Sequence, residues 1–271
     1  MKRLVALAAL ALCAGAVAGG AAAAIRDDSI SSNWAGYAVS GTDPATGTTT
    51  QFRVVSGAWV VPSATCGSSP TWSAVWVGLG GASPTSQALE QIGTEADCTL
   101  AGSAAYSAWY ELVPAPSTPL RLKVFPGDHM NAVVVVHGSE VILRLRDLTR
   151  HTVFTKTATA APLDLTSAEW VVEAPSSCDS AQHCEVLPLT NFGSVPFTGV
   201  ATIGDDHTGT AADGHWIATP IELLTHDRVG LVPMQTPGAV PSALGADGGS
   251  FTVDYSSALT PPAPGQTHPA H

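Results

Sequence analysis

Two carboxylates stand four residues apart in the segment that runs from Ala168 to Pro175. In an extended strand, side-chain alternation puts Glu169 and Glu173 on one face and Trp170 on the other. The two carboxylates then lie roughly 13 Å apart along the strand, which is too far for them to share a proton. Each must therefore do acid–base work alone or with a group from another strand.

Other segments also place polar or aromatic side chains on one face of an expected strand. The residues that share a face are Gln91 with Gly93 and Glu95, Trp76 with Gly78, and Trp109 with Glu111. Gly93 would let an extended peptide or another backbone approach closely. Periodicity does not say which face points inward or which strands are neighbours, so it does not by itself select a functional site.

The motifs of several common hydrolases and nucleotide-binding proteins do not occur in the sequence. It contains no G-x-S-x-G elbow, no H-E-x-x-H, no P-loop, and neither Asp-Thr-Gly nor Asp-Ser-Gly. The nine histidines show no metal-ligand spacing, and a neutral histidine base would be poorly suited to acid because imidazole titrates near pH 6.5. The sequence therefore gives no sign of these hydrolase and nucleotide-binding classes.

Charged residues are few, and most of them are acidic. Charged residues make up 12% of the chain and the formal net charge is −11. Such a surface argues against nucleic-acid binding, which needs clustered cations. An excess of carboxylates also suits an acidic medium, where they lose charge instead of leaving many cations to repel one another.

The first residues are typical of a secretory signal peptide. Lys2 and Arg3 precede an Ala/Leu-rich run that ends in small residues, which predicts a leader at 1–24 cleaved near Ala24. No later stretch approaches the roughly 20 apolar residues of a membrane span. We therefore expect a secreted, extracellular protein that has no membrane contact once the leader is removed.

The cysteine count agrees with export. With Cys13 in the leader set aside, four cysteines remain, which implies two disulfides with three possible connectivities. Cys178 and Cys184 are close enough to close one loop, which leaves Cys66 to pair with Cys98. A metal site built from Cys178, His183 and Cys184 is the alternative, but it lacks a clear second ligand pair.

The rest of the chain predicts strands. Short segments rich in Val, Thr, Ile and aromatic residues alternate with turn residues, which favours an antiparallel sandwich or barrel. The expected strands are 51–61, 73–78, 104–113, 130–137, 140–145, 168–173 and 197–203. The Pro-rich tail at 259–271 is expected to be disordered, which leaves its two histidines, His268 and His271, without a role.

Six segments, in the same order, resemble motifs of the glutamic peptidase (eqolisin) family. They are SNWAGY at 32–37, WVGLG at 76–80, QIGTE at 91–95, AWYE at 108–111, AEWVVE at 168–173 and NFG at 191–193. The resemblance covers about residues 31 to 253. It departs from the family at Gly80, where some members carry an acidic residue, and in the few residues between Ala24 and Ser31, where fungal members have a long propeptide.

The resemblance implies one domain at 25–258, a concanavalin/lectin-like sandwich of two antiparallel sheets of about seven strands each, curved into a substrate groove. The implied activity is endopeptidase cleavage of protein substrates at acidic pH, by a monomer without a cofactor. By position in the motifs, Glu173 and Gln91 would be catalytic, with Trp76 beside them. The supporting or groove residues would be Trp34, Glu95, Trp109 and Glu111.

The chemistry is coherent for those residue types. A glutamate with an ordinary pKa of about 4.3 can stay ionised in acid and take a proton from water, so Glu173 could serve as the general base. The side-chain amide of Gln91 offers an oxyanion donor that does not titrate. Two alternatives remain: a carbohydrate-binding β-sandwich without catalysis, and a glycoside hydrolase that uses Glu173 and Glu95 as its two carboxylates.

Overall fold

The computed structural model describes residues 24–25, 29–42, 46–178, 184–224 and 236–259. All regular elements in these ranges are strands. In chain order they are β1 Ala24–Ile25, β2 Ser29–Ser31, β3 Trp34–Ser40, β4 Phe52–Val60, β5 Ala74–Leu79, β6 Glu90–Cys98, β7 Ala104–Leu112, β8 Thr118–Pro119, β9 His129–His137, β10 Glu140–Asp147, β11 Thr152–Thr159, β12 Ser167–Glu173, β13 Ser176–Cys178, β14 Cys184–Val186, β15 Ser194–Gly204, β16 His207–Thr210, β17 Ile217–Leu224, β18 Thr236–Pro241 and β19 Phe251–Leu259. Within the part described, no helix is long and apolar enough to cross a membrane.

The seven strands expected from the sequence are confirmed to within a few residues, as β4, β5, β7, β9, β10, β12 and β15. Of the twelve remaining strands, six have four residues or fewer, and the longer ones include β6, which contains the expected strand segment with Gln91 and Glu95. The expected leader, up to residue 23, and the Pro-rich tail beyond residue 259 lie outside the described residues.

The strands form two packed layers. One layer has the order β17-β3-β12-β5-β6-β7-β8, and the other has the order β11-β10-β9-β4-β15-β19-β18. Because β17 also pairs with β18, the layers join into one continuous 17-stranded sheet, and β13 and β14 form a separate hairpin. The expected all-β sandwich is confirmed, although its two sheets are continuous rather than separate.

The main core fills the space between the layers, and two tryptophans link them by hydrogen bonds. Trp170 on β12 donates its indole N–H to the carbonyl of Ser56 on β4 at 2.7 Å. In the reverse direction, Trp59 on β4 donates to Thr94 Oγ1 on β6 at 3.0 Å. Gly57 makes room for this packing, since a Cβ there would lie 2.8 Å from the Trp170 ring.

Both expected disulfides are present. Cys66–Cys98 ties the loop after β4 to the end of β6, with its Cα atoms 5.3 Å apart. Cys178–Cys184 closes the β13–β14 hairpin. The pairing of Cys178 with Cys184 rules out the alternative metal site at these cysteines; His183 lies outside the described residues.

Candidate active site

The candidate site lies on the outer face of the layer formed by β3, β12, β5, β6 and β7. Strand alternation sends Trp170 and Val172 of β12 into the main core, so Glu169, Val171 and Glu173 point to this outer face. Strand register then aligns the residues of the face in three rows. The rows are Trp34, Glu173, Ala74, Glu95 and Ser107; then Val171, Trp76, Gly93 and Trp109; then Glu169, Gly78, Gln91 and Glu111.

All seven residues that the sequence singled out share this face, and Glu173 is the carboxylate with the most specific surroundings. Each of its oxygens accepts an N–H: Asn33 Nδ2 donates to Oε1 at 3.0 Å, and Trp76 Nε1 donates to Oε2 at 2.8 Å. Burial raises the pKa of Glu173 to about 7, although these two hydrogen bonds lower it. The pKa of Glu173 therefore lies above the ordinary value of about 4.3 expected from its residue type, and its role in proton transfer stays a prediction.

Gln91 is buried on the neighbouring part of the face. Its Nε2 donates to Glu111 Oε2 at 2.7 Å, across the β6–β7 pair in which the two residues lie opposite each other. One N–H of the amide is thereby held, and the second N–H remains for another acceptor. The Gln91 Oε1 atom is buried without a hydrogen-bond partner among the described residues. Burial also raises the pKa of Glu111.

Glu173 and Gln91 do not touch each other directly. Glu173 lies on β12 and Gln91 on β6, with β5 between them and two rows of offset. For strands about 4.8 Å apart that rise about 3.3 Å per residue, this places their Cα atoms roughly 16 Å apart in a flat sheet. The side chains of Glu173 and Gln91 shorten this distance, and the charge of Glu111, which lies beside Gln91, raises the pKa of Glu173.

The glycines of the face make room for Trp76 rather than for substrate. A Cβ on Gly93 would lie 2.6 Å from Trp76 Cβ and 2.3 Å from the Val75 carbonyl. A Cβ on Gly78 would lie 3.0 Å from the Trp76 ring and from Leu89. The structure therefore shows another backbone, and not a substrate peptide, packed against Gly93, and the space beside this glycine is already filled.

Aromatic rings surround the carboxylate. Trp34 meets Trp76 edge to face, with ring centroids 5.0 Å apart. Trp109 packs in the same small apolar cluster, and its indole N–H is buried without a hydrogen-bond partner among the described residues. Together with Gln91 Oε1, this N–H is a polar atom available to a bound backbone that displaces the neighbouring side chains.

Glu95 belongs to a different set of contacts. It lies in the row of Glu173, but its carboxylate accepts a hydrogen bond from Ser107 Oγ. Burial and the nearby charge of Glu95 raise the pKa of Asp97 to about 7. The Glu95 carboxylate therefore bonds to Ser107 on the neighbouring strand β7 and does not contact the Glu173 carboxyl in this structure.

Sequence reasoning missed Asn33 and several buried carboxyls. Asn33 is part of the SNWAGY segment, and the pairing of Trp34 with Glu173 places it beside the carboxylate. Glu90 and Glu169 are fully buried, and hydropathy patterns give no sign that a glutamate is inside. A cavity of about 870 Å³ beside Tyr110 lies on the opposite face of β7 and shares no residue with this site.

Comparisons with known proteins agree with this geometry. The sequence profile of the Peptidase A4 family matches residues 32–229. A crystal structure of scytalido-glutamic peptidase with a transition state analog inhibitor is 25% identical, with a TM-score of 0.65, over 83% of this chain and 98% of that one. Aspergilloglutamic peptidase from Aspergillus niger is 26% identical, with a TM-score of 0.52, over 69% and 99%.

A third structure, that of SCP-B, a member of the Eqolisin family in complex with a tripeptide, is 24% identical with a TM-score of 0.59 and supports the fold. Among curated protein sequences, none matches this chain. The family profile spans well over half of the chain and includes both Glu173 and Gln91. The chain therefore belongs to the Peptidase A4 family, the glutamic peptidases, and is a glutamic-type endopeptidase acting on proteins or peptides.

Proposed function

We propose that the chain is a secreted endopeptidase that works in acid, with Glu173 as its proton-transfer residue and Gln91 as the hydrogen-bond donor to the scissile carbonyl oxygen. One observation carries the proposal. The Glu173 carboxyl is fixed by two uncharged N–H donors on the same sheet face as a buried glutamine amide that has a free N–H. A carboxyl and an amide on one face in this way can both act on the carbonyl group of one bound peptide bond.

The raised pKa of Glu173 favours one order of proton transfers. With a pKa of about 7, the carboxyl carries its proton in an acidic medium. It gives this proton to the scissile carbonyl oxygen, and the resulting carboxylate takes a proton from water as the water oxygen bonds to the carbonyl carbon. The reprotonated Glu173 then gives its proton to the leaving nitrogen as the C–N bond breaks. One hydroxyl of the former carbonyl carbon loses its proton to the Glu173 carboxylate, which restores the protonated carboxyl and leaves the product carboxylic acid.

Gln91 supports the carbonyl oxygen while its charge changes. The amide N–H of Gln91 that is not bonded to Glu111 can donate to the carbonyl oxygen of a substrate, and an amide donor keeps its proton at any pH. Removal of one such donor costs on the order of 10²–10³ in turnover. A peptide-based transition state analog is bound in a structure of scytalido-glutamic peptidase, which supports the same class of ligand here.

Secretion follows from the leader expected at 1–24 and fits the two disulfides. N-terminal sequencing of protein recovered from culture medium tests it, with cleavage expected near Ala24. A mature N-terminus at Met1, or retention of the protein inside cells, would contradict secretion without affecting the peptidase assignment.

The decisive experiment is digestion of a denatured protein between about pH 2 and pH 8, with an aspartic-peptidase inhibitor present. Wild type is compared with Glu173→Gln, Gln91→Ala and the control Glu140→Gln, which changes an exposed glutamate on β10. Cleavage by wild type and the control, lost in Glu173→Gln and reduced on the order of 10²–10³ in Gln91→Ala, supports the proposal.

Two outcomes would overturn it. A folded wild type that cleaves nothing at any pH would favour the non-catalytic carbohydrate-binding alternative, which a glycan-binding screen then examines. Cleavage that survives both site substitutions would leave the family assignment intact and place the chemistry elsewhere.

A further inference from the structure

A second group of ionisable side chains lies outside the peptidase face. His207 begins β16, and Asp213 and His215 lie on the loop between β16 and β17. Each residue offers one potential ligand atom, and these atoms lie within 4.8 Å of one another. The spacing His-x5-Asp-x-His was not recognised in the sequence because the ligands come together only when the loop folds back on the hairpin.

The distances within this group are close to those of a metal centre. His207 Nε2 lies 3.0 Å from Asp213 Oδ2, and His215 Nδ1 lies 2.8 Å from Asp213 Oδ1. Four-coordinate zinc, with bonds of about 2.0–2.2 Å, keeps its ligand atoms about 3.2–3.5 Å apart. Binding an ion therefore requires the two short distances to Asp213 to lengthen by a few tenths of an ångström. The ligand atoms of the two histidines lie within 4.8 Å of each other, and the two imidazole rings, which now stack with centroids 3.4 Å apart, must tilt.

The carboxylate between the two rings is held in place by the fold. The backbone N–H of His215 donates to Asp213 Oδ1 at 2.9 Å. Gly209 leaves space for the same carboxylate, since a Cβ there would lie 2.4 Å from Asp213 Oδ2. On the other side, the ring of Trp216 meets His207 edge to face at 5.4 Å. These contacts orient Asp213 and His207 before any ion arrives.

The group is accessible to solvent. His207 and His215 line a surface cavity of about 320 Å³ that also includes Asp205 and Asp206. The side chain of His215 is 54% exposed, and that of Asp213 is 23% exposed. An ion can therefore approach from solvent on the side of His215, whereas the Nε2 atom of His207 is buried and becomes a ligand only once its ring tilts. The ion would complete its coordination with water.

We propose that His207, Asp213 and His215 bind a divalent transition-metal ion of the zinc class, separately from the peptidase site. Two imidazoles and one carboxylate suit zinc better than magnesium or calcium, which prefer oxygen ligands alone. Because the ligands come from β16 and from the loop that leads to β17, the ion would cross-link two segments of the sandwich. Its role is structural, and the peptidase chemistry does not depend on it.

Calorimetric titration of the untagged, chelator-treated protein with zinc chloride at pH 7 tests the proposal, because imidazole must be neutral to bind metal. We expect one zinc per chain, with affinity at least about tenfold lower in His207→Ala and in His215→Ala. At a concentration about one hundred times Kd, zinc should raise the thermal midpoint of wild type by about 5–10 °C. It should not change the midpoint of the double variant, which carries both His207→Ala and His215→Ala.

Two matched variants keep the result specific. His137→Ala changes an exposed histidine on β9, and the pair His268→Ala and His271→Ala removes the histidines of the tail; both should bind zinc as wild type does. Peptidase activity of the site variants in chelator reports that they have folded. No saturable binding by wild type, or equal binding by the double variant, would overturn the proposal.

Discussion

The indole N–H of Trp76 donates to Oε2 of Glu173 at 2.8 Å, although 97 residues separate the two in the chain. Asn33 donates to the other oxygen, so the carboxyl is held at both ends by groups that carry no charge. Burial raises the pKa of Glu173 and these donors lower it, because they stabilise the ionised form. The acidity of the site is therefore set by the balance between its enclosure and two hydrogen bonds.

Trp76→Phe should shift the pH dependence of cleavage upward. A hydrogen bond to a charged group contributes about 1.5–3 kcal/mol, so its loss should raise the pKa of Glu173 by about one to two units. Since the protonated form starts the proposed reaction, the loss of activity with rising pH should begin at higher pH. The measurement is kcat/KM against pH, and the expected fall in kcat at the optimum is at least tenfold.

Trp59→Phe is the matched control for this substitution, since it also removes a buried indole N–H donor but lies between the layers. It should lower stability and leave the pH profile in place. An unchanged profile in Trp76→Phe would show that the hydrogen bond does not set the acidity of Glu173.

Local sequence patterns predict only part of this site. Alternation correctly separates Glu173 from Trp170, and the short connection between β6 and β7 makes the pairing of Gln91 with Glu111 foreseeable. The insertion of β12 between β3 and β5 is not encoded locally. The raised pKa of Glu173 depends on that insertion, because tertiary packing and not residue type decides how much water reaches a carboxyl.

The surroundings of Gly80 are a second feature that local sequence patterns do not predict. It departs from the acidic residue found in some family members, yet a Cβ there would lie 2.8 Å from the Cβ of Asp164. Asp164 accepts hydrogen bonds from Ser86 and Thr166. An acidic side chain therefore reaches this place from a different segment, which no motif aligned along the chain could reveal.

Glu111 should act as a positioning residue for Gln91. Glu111→Leu removes the acceptor of the 2.7 Å hydrogen bond, so the amide loses its orientation, and kcat should fall about 10- to 100-fold with little change in KM. Glu111→Gln keeps an acceptor oxygen and should recover most of this loss. Because the charge of Glu111 raises the pKa of Glu173, both variants should lose activity at a lower pH than wild type.

A result in which the two Glu111 variants are equally impaired would argue against positioning. Equal loss would indicate that the carboxyl itself takes part in the reaction. The downward shift of the pH profile follows from charge removal and is expected in both variants, so the recovery of kcat in Glu111→Gln is the measurement that separates these cases.

The two disulfides should contribute unequally to stability. In the chain-entropy description, a cross-link stabilises more when it closes a longer loop. Cys66–Cys98 spans 32 residues and Cys178–Cys184 spans 6. Paired Cys→Ala substitutions should therefore cost about 4 kcal/mol at the first bridge and about 2 kcal/mol at the second, measured by urea unfolding of the oxidised proteins. An equal cost would show that native contacts at the hairpin outweigh loop length.

The fully buried glutamates should make the protein more stable in acid than at neutral pH. Burial, with the nearby charge of Asp164, raises the pKa of Glu90 to about 8, and burial raises that of Glu169 well above its ordinary value. In the unfolded chain both groups ionise near pH 4.5. Between these values the folded state binds more protons than the unfolded state, so the free energy of unfolding decreases as pH rises.

Glu90 should contribute a loss of about 1 kcal/mol per pH unit in this window, and Glu169 should act in the same direction. The contribution is fully present below about pH 4.5 and, for Glu90, gone above about pH 8. Glu90→Gln should therefore flatten the decline and be more stable than wild type at pH 8, whereas Glu140→Gln, on an exposed position, should follow wild type. Urea midpoints at pH 4, 6 and 8 measure this, and a wild-type midpoint that rises from pH 4 to pH 8 would show that these carboxyls ionise without cost inside the fold.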